Sequence, residues 1–210
     1  MKRINLLVMV AAAMLLASCS STQLVSSWKA PEAQQGSIGS VLVLGMMGPK
    51  NLELRENLER QIAIELQNKG IKATSATDVF GPKGFNGLTE EQVNDKVRSL
   101  GYSSVMIVSL VDREKERVHT PGTMYTTPRV VGYSRYYRRY MVVYEQTYTP
   151  GYYTTNTSYV LQSELYSVGR NDLLYSGQTR SYDPGSKASL AKGVAKAIVA
   201  DIQKKGLIAM

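Results

Sequence analysis

This chain has few of the residues from which catalytic and metal centres are usually assembled. Its 210 residues include one cysteine, one histidine, one tryptophan and two phenylalanines. A single cysteine, Cys19, excludes an internal disulfide, so stability must come from packing. A zinc site at His119 would have to rely on carboxylates around one imidazole, and no metal is expected. The apolar run Ile4 to Leu16 is shorter than the ~20 residues that a membrane-spanning helix needs. Motifs of nucleophilic and phosphate chemistry are missing as well. Gly36-Ser37-Ile38-Gly39-Ser40 has the wrong register for a nucleophile elbow. Gly45-Met46-Met47-Gly48 lacks both the third glycine of a dinucleotide turn and the Gly-Lys-Ser/Thr of a phosphate loop. The pair Glu90-Glu91 falls in the first turn of an expected helix, where the helix dipole accounts for it. Neither an enzyme nor a cofactor is expected.

What the N-terminus does contain is ordered. Lys2 and Arg3 precede the apolar run, and Leu16-Ala17-Ser18-Cys19 closes it. A charged start, an apolar middle and small residues at the end read as a secretory signal spanning residues 1–18. The sequence resembles the bacterial lipoprotein signal, which ends Leu-small-small-Cys. That resemblance implies cleavage before Cys19, a lipid on its thiol and an acyl chain such as palmitate on its amine. A secretory signal without lipidation is the competing reading. Each buried methylene contributes about 0.8 kcal/mol, and several chains hold where one does not. Ser20, rather than Asp, follows the cysteine, and the resemblance then implies the outer membrane, with the protein facing the periplasm. Loss of Lys2 and Arg3 lowers the formal net charge from +8 to +6. Export argues against nucleic acid as the partner of that charge. Anionic lipid, a cell-wall polymer or an acidic protein is left.

Residues 19–37, rich in Ser, Gln, Ala and Gly, read as the lipidated N-terminus and a flexible tether. Val25, Trp28 and Pro31 interrupt the tether, and Ser26 to Pro31 is a candidate first extended piece. Packing of Trp28 on the domain is favoured over a place in the membrane interface. Residues 38–206 read as one α/β domain. Ile38 to Met47 has the apolar, β-branched character of a buried strand. Leu54, Leu58, Ile62 and Leu66 recur every four residues on one helical face, with Gly70 as the C-terminal cap. Ile71 to Ala76 reads as a second strand. Thr89 and Gln92 form a capping box for a helix with Val93, Val97 and Leu100 inward. Tyr102 to Val111 is a third apolar strand, and Asp112 to Arg117 continues it with alternating charge. Thr157 to Val168 and Leu173 to Tyr182 flank a hairpin turn at Gly169 to Asp172. A last helix, capped at Ser186, turns Leu190, Val194, Ala197, Ile198 and Ile202 inward.

The order is β-α-β-α-β, a long Tyr-rich hairpin insertion, then β-β-α. It predicts an α/β fold with a mixed sheet and helices packed on it, because helical crossovers join parallel strands. This order resembles a group of periplasmic domains: the penicillin-binding-protein activator lipoprotein, the curli secretion lipoprotein and the N-terminal domain of the Tol translocation protein. Ser27 to Pro31 and Tyr182-Asp183-Pro184 are more similar to small Tyr-rich lipoproteins that carry Ser-Trp-Lys-x-Pro and Tyr-Asp/Asn-Pro. Neither resemblance implies catalytic residues.

Residues 120–156 are unlike the rest. Nine of the 14 tyrosines fall here, with Arg129, Arg135, Arg138 and Arg139 interleaved and Glu145 as the lone acid. Ser134 to Thr147 is expected to pair with Tyr152 onward across a turn at Thr149-Pro150-Gly151. Tyrosine offers a flat ring and a hydroxyl, and arginine a planar fork that stacks on rings. The candidate contact residues are Arg129, Tyr133, Arg135, Tyr136, Tyr137, Arg138, Arg139, Tyr140 and Tyr144. A hairpin without a ligand and a disordered insertion are the alternatives. The functional expectation is a non-enzymatic outer-membrane lipoprotein that binds or regulates an envelope protein. A cell-wall glycan or anionic-lipid binding module, or a homo-oligomerising structural subunit, would be built from the same segment.

Overall fold

The computed structural model describes residues 21–33, 38–82, 84, 89–134, 139–170 and 172–208. Cys19 and the signal lie outside them. Two compact units emerge: the described parts of Met1–Glu114 with Ser158–Met210, and Lys115–Thr157.

The first unit is built on a six-stranded mixed sheet. In chain order its strands are β1 (Thr22–Lys29), β2 (Val41–Met46), β3 (Ala73–Ser75), β4 (Ser104–Thr120), β7 (Tyr152–Ser167) and β8 (Leu173–Tyr182). β4 and β7 run on into the second unit, which also holds β5 (Thr123–Ser134) and β6 (Arg139–Thr149). The sheet order is β1-β8-β7-β4-β2-β3. β2 pairs in parallel with both β3 and β4, while β8 pairs antiparallel with β1 and β7. The expected mixed α/β sheet is therefore present. Its parallel part coincides with the helical crossovers, and its antiparallel part with the hairpin.

Helices cover the sheet unequally. α1 (Leu52–Gln67) and α4 (Lys187–Lys204) pack on one face, where the four-residue periodicity places Leu54, Leu58, Ile62 and Leu66 fully inside. They meet Val41, Val43, Met106, Val108, Leu161 and Leu165 from alternate strand positions. Each such side chain contributes about 1.5–3 kcal/mol through burial. On the opposite face α2 (Ala76–Phe80) and α3 (Glu90–Ser99) cover a smaller cluster around Leu42, Val97 and Val105. The capping box of Thr89 and Gln92 is formed at the start of α3.

Three local expectations change. Leu100 is exposed rather than inward, because α3 ends at Ser99 and Leu100 sits in the cap, turned out of the helical stripe. Ala197 is only half-buried, and Ala191, Ala195 and Val199 complete the inner face of α4. Within the stretch expected as a tether, the extended piece expected at Ser26 to Pro31 starts earlier, and Thr22–Lys29 form an edge strand. Its composition is polar, but alternate residues Thr22 and Leu24 point toward the core while Gln23 and Val25 face water. Trp28 remains half-exposed on that strand.

Candidate interaction surface

β5 and β6 pair antiparallel from Thr123↔Thr149 to Ser134↔Arg139, with an irregularity between Val130 and Gly132. This corrects the expected pairing. Ser134 to Thr147 does not fold onto Tyr152 and beyond; β6 pairs backward with β5, and β7 joins the six-stranded sheet. The sequence contains a reason. Thr-Pro-Gly occurs twice, at Thr120-Pro121-Gly122 and Thr149-Pro150-Gly151, and both fall at breaks between strands. Proline followed by glycine favours a turn, so pairing stops there twice rather than once, whereas Pro128, with no glycine after it, is accommodated within β5.

The two breaks lie against each other. A Cβ on Gly122 would come within 2.7 Å of the Thr149 carbonyl oxygen, and one on Gly151 within 2.7 Å of the Thr120 carbonyl oxygen. Only glycine permits that approach of two backbones. Beside the junction, the His119 and Tyr153 rings meet with centroids 4.6 Å apart and planes tilted by 37°. His119 is thus engaged with an aromatic ring, and no group of three metal-ligating side chains occurs among the described residues.

Register assigns the described side chains of the ribbon to two faces. Met124 and Tyr148, Thr126 and Gln146, and Pro128 and Tyr144 are cross-strand partners on one. Tyr125 and Thr147, and Thr127 and Glu145, are partners on the other, which also carries Arg129. All of these are exposed: Met124 by 60 %, Tyr125 by 59 %, Tyr144 by 68 % and Tyr148 by 63 %.

Of the candidate contact residues, Arg129 and Tyr144 are therefore exposed, on opposite faces of the ribbon. Tyr133 and Tyr140 occupy paired backbone positions, and Arg139 pairs with Ser134; their side chains are outside the described set. Arg135, Tyr136, Tyr137 and Arg138 lie outside the described residues altogether. Met124, Tyr125 and Tyr148 are exposed on the same ribbon and are not among the candidate contact residues. They flank the arginine-interleaved run, and only the register of β5 against β6 groups them.

A second polar cluster lies at the C-terminal ends of β2 and β3. Glu59, 1 % exposed, accepts from the Gly45 N–H at 2.9 Å, the Ser75 hydroxyl at 2.9 Å and the Thr77 N–H at 2.7 Å. Arg55 Nε stands 3.8 Å from the same carboxylate, and its Nη2 donates to the Pro82 carbonyl at 2.7 Å. Both carboxylate oxygens are occupied, so this cluster fastens α1 to two strands and to the N-terminus of α2. A phosphate approaching the Gly45 N–H would meet the Glu59 carboxylate, which like-charge repulsion disfavours.

No family model matches this chain, and no curated protein matches it in sequence. It is similar to the PelC dodecamer from Paraburkholderia phytofirmans, with a TM-score of 0.49 and 13 % identity over 90 % of this chain and 99 % of that one. It is also similar to lipoprotein GNA1162 from Neisseria meningitidis, with a TM-score of 0.43 and 15 % identity over 79 % of this chain and 99 % of that one. For a PDZ domain protein from Parabacteroides distasonis the TM-score is 0.38 and the identity 10 %, over 92 % of this chain and 39 % of that one.

Proposed function

We propose that this chain is a non-enzymatic outer-membrane lipoprotein, lipidated at Cys19, whose β5–β6 ribbon grips an envelope protein from the periplasmic side. One observation carries the reading. The ribbon is a two-stranded sheet whose described side chains are exposed on both faces, tyrosines and a methionine among them. An isolated two-stranded ribbon is marginally stable in water, and large aromatics exposed in a group are typical of surfaces that a partner covers. Covering Tyr144 and Tyr148 would remove on the order of 200 Å² of ring surface from water, about 5 kcal/mol before ordering costs. The signal-like N-terminus supports the anchor. Among the described residues no helix is long and apolar enough to cross a membrane.

In-cell crosslinking with mass spectrometry tests the contact, comparing the intact chain with a Tyr144→Ser/Tyr148→Ser variant. Both should fold and reach the membrane alike, and one envelope protein should be captured by the intact chain alone. Equal capture by both would remove the ribbon from the contact. Self-crosslinks alone would replace the partner with a second copy of this chain. Salt-sensitive binding of the intact chain to purified cell wall, with no protein captured, would replace it with a glycan.

A further inference from the structure

The two edges of the β5–β6 ribbon are not equivalent. Pro128 stands opposite Tyr144 in the ladder, and proline has no N–H to donate. Pro128 and Tyr144 are therefore a pair that exchanges no backbone bonds. Alternation extends that phase to Thr126↔Gln146 and Met124↔Tyr148. In such pairs the N–H and C=O of both residues point away from the neighbouring strand. The outer edge of β6 thus presents the backbone groups of Tyr144, Gln146 and Tyr148, and that of β5 those of Met124, Thr126 and Pro128.

The β5 edge is blunted twice. At Pro128 a ring carbon takes the place of the outward N–H. Further on, β5 carries the extra residue Val131 between Val130 and Gly132, whose partners Val142 and Met141 are consecutive. Both features obstruct an incoming strand. β6 has no proline, lysine or extra residue over Arg139–Thr149. Among the described residues no further strand pairs with it, and residues 144–149 are exposed. Only β6 offers an edge fit for strand addition.

We propose that β6 pairs with β6 of a second copy of this chain, antiparallel across a twofold axis at Gln146, giving a four-stranded sheet β5-β6-β6-β5. The edge is self-complementary in that register. Gln146 meets its own copy, and Tyr144 meets Tyr148 of the second copy, so backbone rows and rings are both matched. Glu145, the lone acid of residues 120–156, falls opposite Thr147. A twofold at Glu145 would set two carboxylates opposite each other, which is unfavourable. Two strands alone are marginal in water, and three or more with an apolar face are not. The assembly also closes at two copies, because both outermost strands are then blunted β5 edges. This pairing uses the edge and leaves the faces of the ribbon open. It goes beyond the grip on an envelope protein and holds with or without it; in cells, self-crosslinks accompany that protein rather than replace it.

The test uses the full chain, extracted from membranes in detergent. Gln146→Pro removes an outward N–H of β6 without costing a β5–β6 bond, and Thr126→Pro does the same to β5 directly across the ladder. In sedimentation the intact chain and Thr126→Pro should run as dimers, and Gln146→Pro as a monomer. Gln146→Cys, oxidised in the cell envelope, should give a disulfide-linked dimer, since residues that exchange both bonds have Cα atoms about 5.5 Å apart. Glu145→Cys should link far less, because its copy is displaced along the strand. The unsubstituted chain reports any link through Cys19. An intact chain that runs as a monomer, a dimer that survives Gln146→Pro, or no more linking at 146 than at 145 would overturn the pairing. If both prolines abolish the dimer, the ribbon itself has opened and the Gln146→Cys disulfide decides: its formation keeps the proposal, and its absence ends it.

Discussion

The Tyr175 hydroxyl donates to Asp201 Oδ2 at 2.9 Å, joining β8 to the last turns of α4. The ring is wholly buried and lies over Gly177, two residues along the same strand, where a Cβ would collide with it. Burial first, and the Asp201 carboxylate second, push the phenol well above its ordinary value of 10.

That shift has a definite sign. The folded chain keeps a proton that the unfolded chain releases above about pH 10, so the associated stability is complete below that value and declines as pH rises past it. The intact chain should therefore lose urea midpoint progressively above about pH 10, and Tyr175→Phe should have a shallower limb over that range. At neutral pH the variant should be less stable by about 1 kcal/mol, the value of a typical buried hydrogen bond. Parallel alkaline limbs for the two proteins would refute the assignment.

Glu59 is the second fastener. Glu59→Leu would leave the Gly45 and Thr77 N–H groups and the Ser75 hydroxyl without their acceptor, and Arg55 without its ion-pair partner. Removal of one partner from a buried charged cluster costs about 3–5 kcal/mol. Glu59→Gln keeps the shape and one acceptor oxygen, and should recover part of that loss. Urea unfolding of both variants at neutral pH is the check. A loss under about 1 kcal/mol for Glu59→Leu would mean that water replaces the carboxylate.

Much of the first unit could be read from periodicity. The four-residue spacing of Leu54, Leu58, Ile62 and Leu66 specifies a buried face whatever the helix meets, and Thr89 with Gln92 marks a helix start through local bonds alone. β1 could not be read in this way. Its polar residues gain their place from pairing with Ser176 to Ser181, more than a hundred residues away. The ribbon was half legible. Thr/Tyr content announced strands, but each Thr-Pro-Gly alone looks like a turn. The second copy, which makes the pair a double break, carries the topology. Glu59 gave no sign in the sequence, since a glutamate on an amphipathic helix ordinarily faces water.

The double break makes a testable joint. Gly122→Ala and Gly151→Ala would each press a Cβ against a backbone oxygen, which cannot rotate away as a side chain can. Each should speed hydrogen exchange in Thr123–Ser134 and Arg139–Thr149 and leave α1 and α4 protected as before. Local opening has its own free energy, distinct from global unfolding. Unchanged exchange in β5 and β6 would show that the close approach is not needed for pairing.

The last prediction concerns the seat of β1. Gly193 lies inside α4, where alanine would ordinarily add about 1 kcal/mol of helix stability. Here an added Cβ would strike the Thr22 hydroxyl and stand 3.0 Å from its Cβ. Gly193→Ala should therefore destabilise the chain and loosen β1, which red-shifted emission from Trp28 would report, since it is the only tryptophan. Thr22→Ala alone leaves the buried Ser181 hydroxyl without its partner and should cost about 1 kcal/mol. Combined, the two changes should restore β1, because the methyl of residue 193 then occupies the volume that the threonine hydroxyl vacates. A double-mutant cycle should give a favourable coupling of about 1–2 kcal/mol, within the range for residues in direct contact. Strict additivity would mean that β1 yields freely to the larger residue. The strand would then be less firmly seated than its hydrogen bonds imply.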